Sequence, residues 1–310
     1  MTEIQKPAVL IAGPTASGKS HIAMFLARQW NGVVVNADSM QVYADLRVLT
    51  ARPSPEDEAS VPHRLYGHVP LTRAYSAGAW LEDVKTVLGE IWSAGQLPVI
   101  VGGTGLYFKM LLEGVAPVPD IPEDIREYWR GKAERDGVEA LHKILKIRDP
   151  LMAARLEPGD PQRMVRALEV LEATGRSLHD WQKDTPSPPL LDEQNCMRFV
   201  IAPPREALYE RIDARFDWML AHGGREEAAR IAALGLPRSL PAMKALGLKQ
   251  LLDLQAGDLS EEGAMEKAKT QSRRYAKRQM TWLKSNMISW NWIDAQETTS
   301  QLAQIFAIIR

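Results

Sequence analysis

The first stretch whose residue types and spacing could do chemistry is Gly13–Ser20, which reads GPTASGKS. It matches G-x-x-x-x-G-K-[ST] at every fixed position, between a short apolar run and a segment with helical periodicity. The glycines let the backbone wrap around an anion, and the positive end of the following helix adds to the attraction. We predict that Lys19 neutralises a phosphate and that Ser20 coordinates Mg²⁺ bound to it. The predicted phosphate loop consists of Gly13, Pro14, Thr15, Ala16, Ser17, Gly18, Lys19 and Ser20.

A carboxylate follows the second apolar run, in VVVNADSMQVY. In a doubly wound sheet this position places Asp38 and Ser39 beside the phosphate loop. Asp38 could accept a proton from an attacking nucleophile or hold a metal through water, and the alternative is a helix-capping aspartate. In PVIVGGTGLY, Gly102, Gly103 and Thr104 are small groups suited to close approach by a planar ligand, or to a tight turn.

Positive charge is concentrated in Lys267–Lys284, KAKTQSRRYAKRQMTWLK, which contains seven Lys or Arg and no acid. On a helix, Arg273 with Lys277 and Arg274 with Arg278 lie one turn apart, near the rings of Tyr275 and Trp282. Cations for phosphates and rings for bases are what RNA binding requires. The alternative is a solvated helix face, although such faces normally mix both signs of charge.

Two further segments carry arginines at helical spacing. QRMVRALEVLEATG places Gln162, Arg163 and Arg166 on one face of a helix, opposite an apolar face. ALYERIDARFDWMLAHGG carries Arg211 and Arg215 one turn apart, and either could bind a departing diphosphate.

Four apolar runs, separated by helical patterns, indicate the elements that position these residues. They are Ala8–Ala12, Val33–Val35, Pro98–Gly103 and Arg198–Ala202. We predict an α/β fold with a P-loop NTPase-like parallel sheet flanked by helices. Proline-rich stretches at 116–124 and 184–193 bracket a helical block, which predicts a core of 1–117 and 197–310 and an inserted helical domain of 118–196. The alternative is two surface loops of one continuous domain.

The bulk composition narrows the class of protein. A chain of 310 residues with a net charge of −1 and a single cysteine, Cys196, has neither a disulfide framework nor a multi-thiolate zinc site. The pair His63 and His68 lacks a third ligand at metal-site spacing. No apolar run approaches the length of a membrane span, and the N-terminus does not read as a signal peptide. We expect a cytoplasmic, monomeric protein that does not contact a membrane.

Taken together, these stretches resemble the tRNA dimethylallyltransferases over nearly the whole chain, in the order of that family. The matching motifs are GPTASGKS, DSMQVY, PHRL, AYSAGAW, VGGTGLY, RMVRALEVLEATG, RIDARFDWML, ALG and YAKRQMTWLK. The resemblance implies that a dimethylallyl group moves from dimethylallyl diphosphate to N6 of the adenosine 3′-adjacent to the anticodon of tRNA, at position 37. Diphosphate is the leaving group.

The resemblance also implies roles for individual residues. Asp38 matches the general base, Lys19 belongs to the diphosphate loop, and Arg215 matches an arginine that binds the departing diphosphate, with Arg211 as a possible substitute. The residues that match tRNA-contacting positions are Asp38, Ser39, Met40, Gln41, Thr104, Arg126, Gln162, Arg163, Met164, Val165, Arg166, Ala242, Met243, Lys244, Ala245, Leu246, Gly247, Arg273, Arg274, Tyr275, Ala276, Lys277, Arg278, Gln279 and Met280.

The chain departs from the family pattern at three places, none of them in the phosphate loop or at Asp38. The usual PHHL reads PHRL, the run after DSMQVY reads ADLRVLTARP, and HPND reads EPGD. Two other interpretations of the residues stay open: a P-loop kinase with Asp38 as base, which leaves the basic helix without a purpose, and a non-catalytic nucleotide-dependent RNA-binding protein.

Overall fold

A computed structural model describes residues 6–184 and 186–309. The strands are β1 (Ala8–Ala12), β2 (Gly32–Asn36), β3 (His63–Arg64), β4 (Leu97–Gly102), β5 (Cys196–Ile201) and β6 (Asn291–Ile293). They form one sheet in the order β3-β2-β4-β1-β5-β6, and every neighbouring pair is parallel. The α/β fold is confirmed, as are the four predicted strands, which became β1, β2, β4 and β5. The edge strands β3 and β6 were missed because two or three residues are too few to show a pattern.

The first helices along the chain are α1 (Lys19–Gln29), α2 (Pro55–Ser60), α3 (Ala77–Ser93), α4 (Gly105–Glu113), α5 (Glu123–Arg148), α6 (Pro150–Arg155), α7 (Pro161–Thr174) and α8 (Leu178–Trp181). The later ones are α9 (Arg205–Met219), α10 (Arg225–Ala233), α11 (Leu248–Gln255), α12 (Glu261–Asn286) and α13 (Thr298–Ile309). Short 3₁₀ turns cover Glu193–Asn195 and Pro241–Lys244, and a π-helical turn covers Leu220–Gly224.

Strands β1 and β4, at the centre of the sheet, are apolar throughout because helices cover both faces of the sheet. Alternate residues of β1 point to opposite sides. Leu10 belongs to a cluster with Trp80 of α3 and Phe108 of α4. Ile11 belongs to a second cluster, which includes side chains of α1 and α13. This double packing fixes the carboxyl ends of β1, β2 and β4, where the loops with candidate chemistry begin.

The chain divides into two compact units, one of Glu113–Pro189 and one of the remaining described residues. The smaller unit is helical, and its core joins Trp129 and Leu141 of α5 to Met164 and Leu168 of α7. Its limits differ by a few residues from the predicted 118–196. Leu191 is buried in the core of the larger unit, and β5 already begins at Cys196. No helix in the described part of the chain has the length and apolarity needed to cross a membrane.

Candidate active site and RNA-binding helix

The predicted phosphate loop connects β1 to α1. Gly18 precedes the helix with a φ of 95°, a left-handed conformation that glycine adopts without strain. The ammonium of Lys19 donates a hydrogen bond to the carbonyl oxygen of Pro14 at 3.1 Å, so the side chain folds back over the loop. Ser20 is exposed on the first turn of α1, where backbone N–H groups have no intrahelical partner. The loop therefore presents N–H donors, a cation and a hydroxyl.

Asp38 lies just beyond β2, and several hydrogen bonds fix its backbone. The amide of Asn36 donates to the carbonyl oxygen of Asp38 at 2.9 Å and accepts from its N–H at 2.8 Å. Ser39 N–H donates to the hydroxyl of Thr104 at 3.0 Å, which ties this turn to the loop after β4. One carboxylate oxygen of Asp38 accepts from Met40 N–H at 2.9 Å, so the carboxylate has a set orientation.

Lys19, Arg215 and Asp38 act electrostatically on one another. Burial lowers the pKa of Lys19 to about 8, the Asp38 carboxylate opposes that change, and the positive charge of Arg215 adds to it. Burial also lowers the pKa of Arg215, again opposed by Asp38. We call Lys19 and Arg215 the phosphate cluster. Two half-buried cations facing one carboxylate form a site prepared for an anion.

The two candidate arginines of α9 have different partners. Arg211 donates to the carbonyl oxygen of Gln296 at 2.6 Å and is occupied there. The positive charge of Arg215, by contrast, lowers the pKa of Lys19. Of the two, Arg215 is therefore the one that belongs to the phosphate cluster.

The charge of Asp38 acts on three tyrosines, an effect that the sequence analysis did not predict. The pKa values of Tyr66, Tyr107 and Tyr275 are raised, mainly by burial and further by the Asp38 charge. Tyr107 stacks on Trp80, with ring centroids 4.0 Å apart. The three phenols therefore stay neutral.

The glycines after β4 accommodate protein atoms, which makes the planar-ligand interpretation wrong in this structure. A Cβ at Gly102 would lie 2.0 Å from the carbonyl oxygen of Ala37, and one at Gly103 would lie 2.2 Å from the amide nitrogen of Gln279. A Cβ at Gly105 would lie 2.1 Å from the ring of Trp282. Close contact with Ala37, just after β2, and with side chains of α12 is therefore what requires small residues here.

The acid-free segment lies on α12, and its cations differ in exposure. Arg274, Lys277 and Arg278 are exposed, and none has an ion-pair partner within the described residues. We call these three residues the α12 outer face. They line a groove of about 570 Å³ together with Thr281, Trp282, Ser285 and Asn286. Unpaired cations along a groove form a surface suited to phosphates.

Arg273 differs from its neighbours. Its guanidinium donates to both carboxylate oxygens of Asp213, at 2.8 and 2.6 Å, and to Glu266 at 2.9 Å. The expectation of an exposed Arg273–Lys277 pair of cations is therefore wrong for Arg273, because α9 supplies an acid that the sequence of α12 does not reveal.

Comparisons with known proteins identify the family of this chain. The profile of the family described as IPP transferase matches residues 41–286, and that described as Isopentenyl transferase matches residues 7–70. This chain belongs to the IPP transferase family. A tRNA dimethylallyltransferase of Bradyrhizobium sp. (strain ORS 278) is 54% identical over 93% of the chain and 94% of the relative. A tRNA dimethylallyltransferase of Agrobacterium fabrum is 51% identical over 90% of the chain and 94% of the relative.

Solved structures of IPP transferases resemble the chain over almost its full length. The tRNA isopentenylpyrophosphate transferase of Bacillus halodurans is 32% identical with a TM-score of 0.70, covering 98% of this chain and 95% of that one. A eukaryotic dimethylallyltransferase acting on tRNA has a TM-score of 0.80 at 24% identity. The match covers 97% of this chain and 77% of that one, and it shows the shared fold.

Several residues that the sequence analysis predicted to contact tRNA are buried in this structure. These are Met164, Val165, Ala242, Met243, Ala245, Gly247, Ala276 and Gln279. Their apolar members pack in hydrophobic clusters, and Gly247 adjoins the ring of Phe216. Exposed members of the same segments include Gln162, Arg163, Lys244, Arg274, Lys277 and Arg278. Half-buried members are Ser39, Met40, Gln41, Thr104, Arg126, Arg166, Leu246, Arg273, Tyr275 and Met280.

In the helical unit, the candidate arginines are paired with acids. Arg163 lies 3.1 Å from Asp160, and Arg166 lies 3.7 Å from Glu169, whose side chain is buried. Arg126 lies 3.7 Å from Glu123, and Arg130 also approaches Glu169, at 3.6 Å. These ion pairs hold the guanidinium groups of α5 and α7 in place and reduce their net charge.

The residues present fit a divalent ion that arrives with a phosphorylated substrate. The described residues contain no group of three or more His, Cys, Asp or Glu side chains that could enclose a metal. Mg²⁺ usually keeps several waters and binds through substrate phosphates with one or two protein oxygens. The exposed hydroxyl of Ser20, beside Lys19, suits that mode of binding.

Proposed function

We propose that this chain transfers the dimethylallyl group of dimethylallyl diphosphate to N6 of the adenosine 3′-adjacent to the tRNA anticodon, position 37, and releases diphosphate. As a member of the IPP transferase family, it is an enzyme that transfers a dimethylallyl group to an adenosine of tRNA. The observation that supports the finer assignment is the electrostatic interaction of Lys19, Arg215 and Asp38 at the phosphate loop.

The diphosphate is proposed to bind where positive charge and N–H donors meet. The loop N–H groups, Lys19 and Arg215 would stabilise the negative charge that grows on the leaving oxygen as the allylic C–O bond breaks. Ser20 would hold Mg²⁺, which neutralises further charge on the diphosphate when bound. Because these groups are fixed before substrate arrives, the site needs little reorganisation during the reaction.

Asp38 is proposed to act on the nucleophile. The N6 amine is a weak nucleophile because its lone pair conjugates with the adenine ring. As N6 forms its bond to the allylic carbon, the carboxylate of Asp38 would accept the N6 proton, and diphosphate leaves with the electrons of the C–O bond. An adenine reaches such a site only when unstacked, which costs least in a single-stranded loop.

The proposed RNA contacts come from the α12 outer face and from the exposed polar residues listed above. Arginine and lysine contact the phosphates of the anticodon stem-loop, and these contacts orient the loop without reading its sequence. We further propose that the enzyme is cytoplasmic and monomeric. Sedimentation at micromolar concentration would test the monomeric state.

The proposal is tested with labelled dimethylallyl diphosphate and tRNA, followed by digestion to nucleosides. We expect N6-dimethylallyladenosine from tRNA with adenosine at position 37 and none from tRNA with guanosine there. Asp38→Asn should lower kcat at least 100-fold while stem-loop affinity changes less than threefold, because the proton acceptor is lost but the RNA contacts remain. Asp45→Asn, at a nearby exposed aspartate, is the matched control and should retain activity.

Two results would overturn the assignment. One is phosphoryl transfer from labelled ATP to a nucleoside with no prenylated product. The other is full activity in the Asp38→Asn enzyme.

A further inference from the structure

Gln279 has two hydrogen bonds that the function above does not use. Its side-chain oxygen accepts from the N–H of Thr15 in the phosphate loop at 3.0 Å. Its side-chain nitrogen donates to the carbonyl oxygen of Gly103, after β4, at 2.9 Å. The residue is only 7% exposed. One amide therefore joins the two loops that follow β1 and β4.

The place that Gln279 occupies depends on Gly103. A Cβ at position 103 would lie 2.2 Å from the Gln279 nitrogen, so any larger residue would require the Gln279 amide to shift. Trp282, one turn further along α12, is accommodated in the same way against Gly105. This side of α12 is thus fitted closely to the glycine loop.

A neighbouring side of α12 carries the exposed cations, and Trp282 also lines their groove. Lys277 and Arg278 immediately precede Gln279 in the sequence, but they point to the groove, whereas Gln279 points to the phosphate loop. The expectation that Gln279 contacts tRNA does not fit this orientation, because both ends of its amide are already bonded to protein.

We propose that Gln279 is a positioning residue that holds the phosphate loop in the conformation that binds diphosphate. The loop is rich in glycine, and Gln301 donates a hydrogen bond to the carbonyl oxygen of Ser17 in its second half. The bond to Thr15 N–H fixes its first half relative to the carboxyl end of β4. The inference rests on the proposed function for the identity of the anion, diphosphate. A purely structural role would change folding stability and leave anion affinity unaltered in the folded enzyme.

The test compares two single variants with their combination. Gln279→Met keeps the volume but removes both hydrogen bonds, and Gly103→Ala displaces the Gln279 amide while leaving its sequence intact. Isothermal titration calorimetry with inorganic diphosphate and Mg²⁺ measures the anion affinity of the phosphate loop. Titration with an anticodon stem-loop RNA measures the RNA affinity of the α12 outer face. Gln255→Met, at an exposed glutamine of α11, is the matched control.

We expect each single variant to weaken diphosphate binding about tenfold, with stem-loop affinity unchanged within twofold. The double variant should bind diphosphate no more weakly than Gln279→Met alone, since both changes remove the same two bonds. In turnover, the KM for dimethylallyl diphosphate should rise by the same factor.

Normal diphosphate affinity in folded Gln279→Met would overturn the proposal, as would additive effects in the double variant or an equal loss of RNA affinity. If Gln279→Met does not fold, the diphosphate and stem-loop affinities of Gly103→Ala are the test of the proposal. Failure of the proposed function is separate: wild-type protein would then bind diphosphate normally but form no prenylated nucleoside.

Discussion

Two groups of cations in the larger unit differ in their surroundings. The phosphate cluster, Lys19 and Arg215, is half-buried, and burial lowers the pKa of both side chains. The α12 outer face, Arg274, Lys277 and Arg278, is exposed along a groove. Dehydrated cations interact strongly with one anion at short range, whereas exposed cations attract many phosphates through interactions that salt screens. In the proposed function, the same charge thus serves chemistry in one place and RNA binding in the other.

The largest expected effect is at the phosphate cluster. Lys19→Ala should lower kcat/KM about 1,000-fold, because it removes a preorganised cation from the leaving group. The loss should be similar at 50 and 200 mM salt, and stem-loop affinity should stay within threefold. Lys277→Ala is the matched control, for which kinetics with saturating RNA should be nearly normal. A loss at Lys19 that shrinks strongly as salt rises would remove the proposed distinction between the two groups.

An intermediate effect is expected on the α12 outer face. Arg274→Glu should weaken stem-loop binding about 30-fold at 0.1 M salt and reduce the slope of log affinity against log salt by about one. Diphosphate affinity should not change. Lys85→Glu introduces the same charge at an exposed lysine of α3 and serves as control. Equal losses for Arg274→Glu and Lys85→Glu would show that overall charge, not this face, attracts the RNA.

The smallest expected effect is on pH dependence. The folded pKa of Lys19 is lowered to about 8, so its ammonium loses the proton as pH rises through that value. Diphosphate affinity should therefore fall by up to about tenfold between pH 7 and 9. Stem-loop affinity should stay flat over that range, because Lys19 does not belong to the α12 outer face.

Diphosphate also changes its protonation state with pH. The Lys19→Met variant serves as the control, because its pH dependence of binding contains this change but no contribution from the lysine. Titration calorimetry of both proteins across the range isolates the lysine, and the variant should lack its contribution. Parallel pH curves for wild type and variant would contradict the lowered pKa.

The sequence predicted those features that depend on residues close together in the chain. The phosphate loop was predicted from its fixed glycines and Lys-Ser pair, and the basic helix from the absence of acids. Gly103 was misread, because a glycine in a sequence does not reveal which atom approaches it. Arg273 was misread because its partner Asp213 lies on another helix, 60 positions away.

The sequence by itself determined the parallel α/β sheet, the phosphate loop and the segregation of positive charge, because each depends on periodicity or spacing within one segment. Only the tertiary structure decided which arginine of α9 acts at Lys19, which cations of α12 stay unpaired, and that Gln279 reaches the phosphate loop. These outcomes depend on contacts between residues far apart in the chain. Burial and pairing arise only when the elements pack, and no local pattern encodes them.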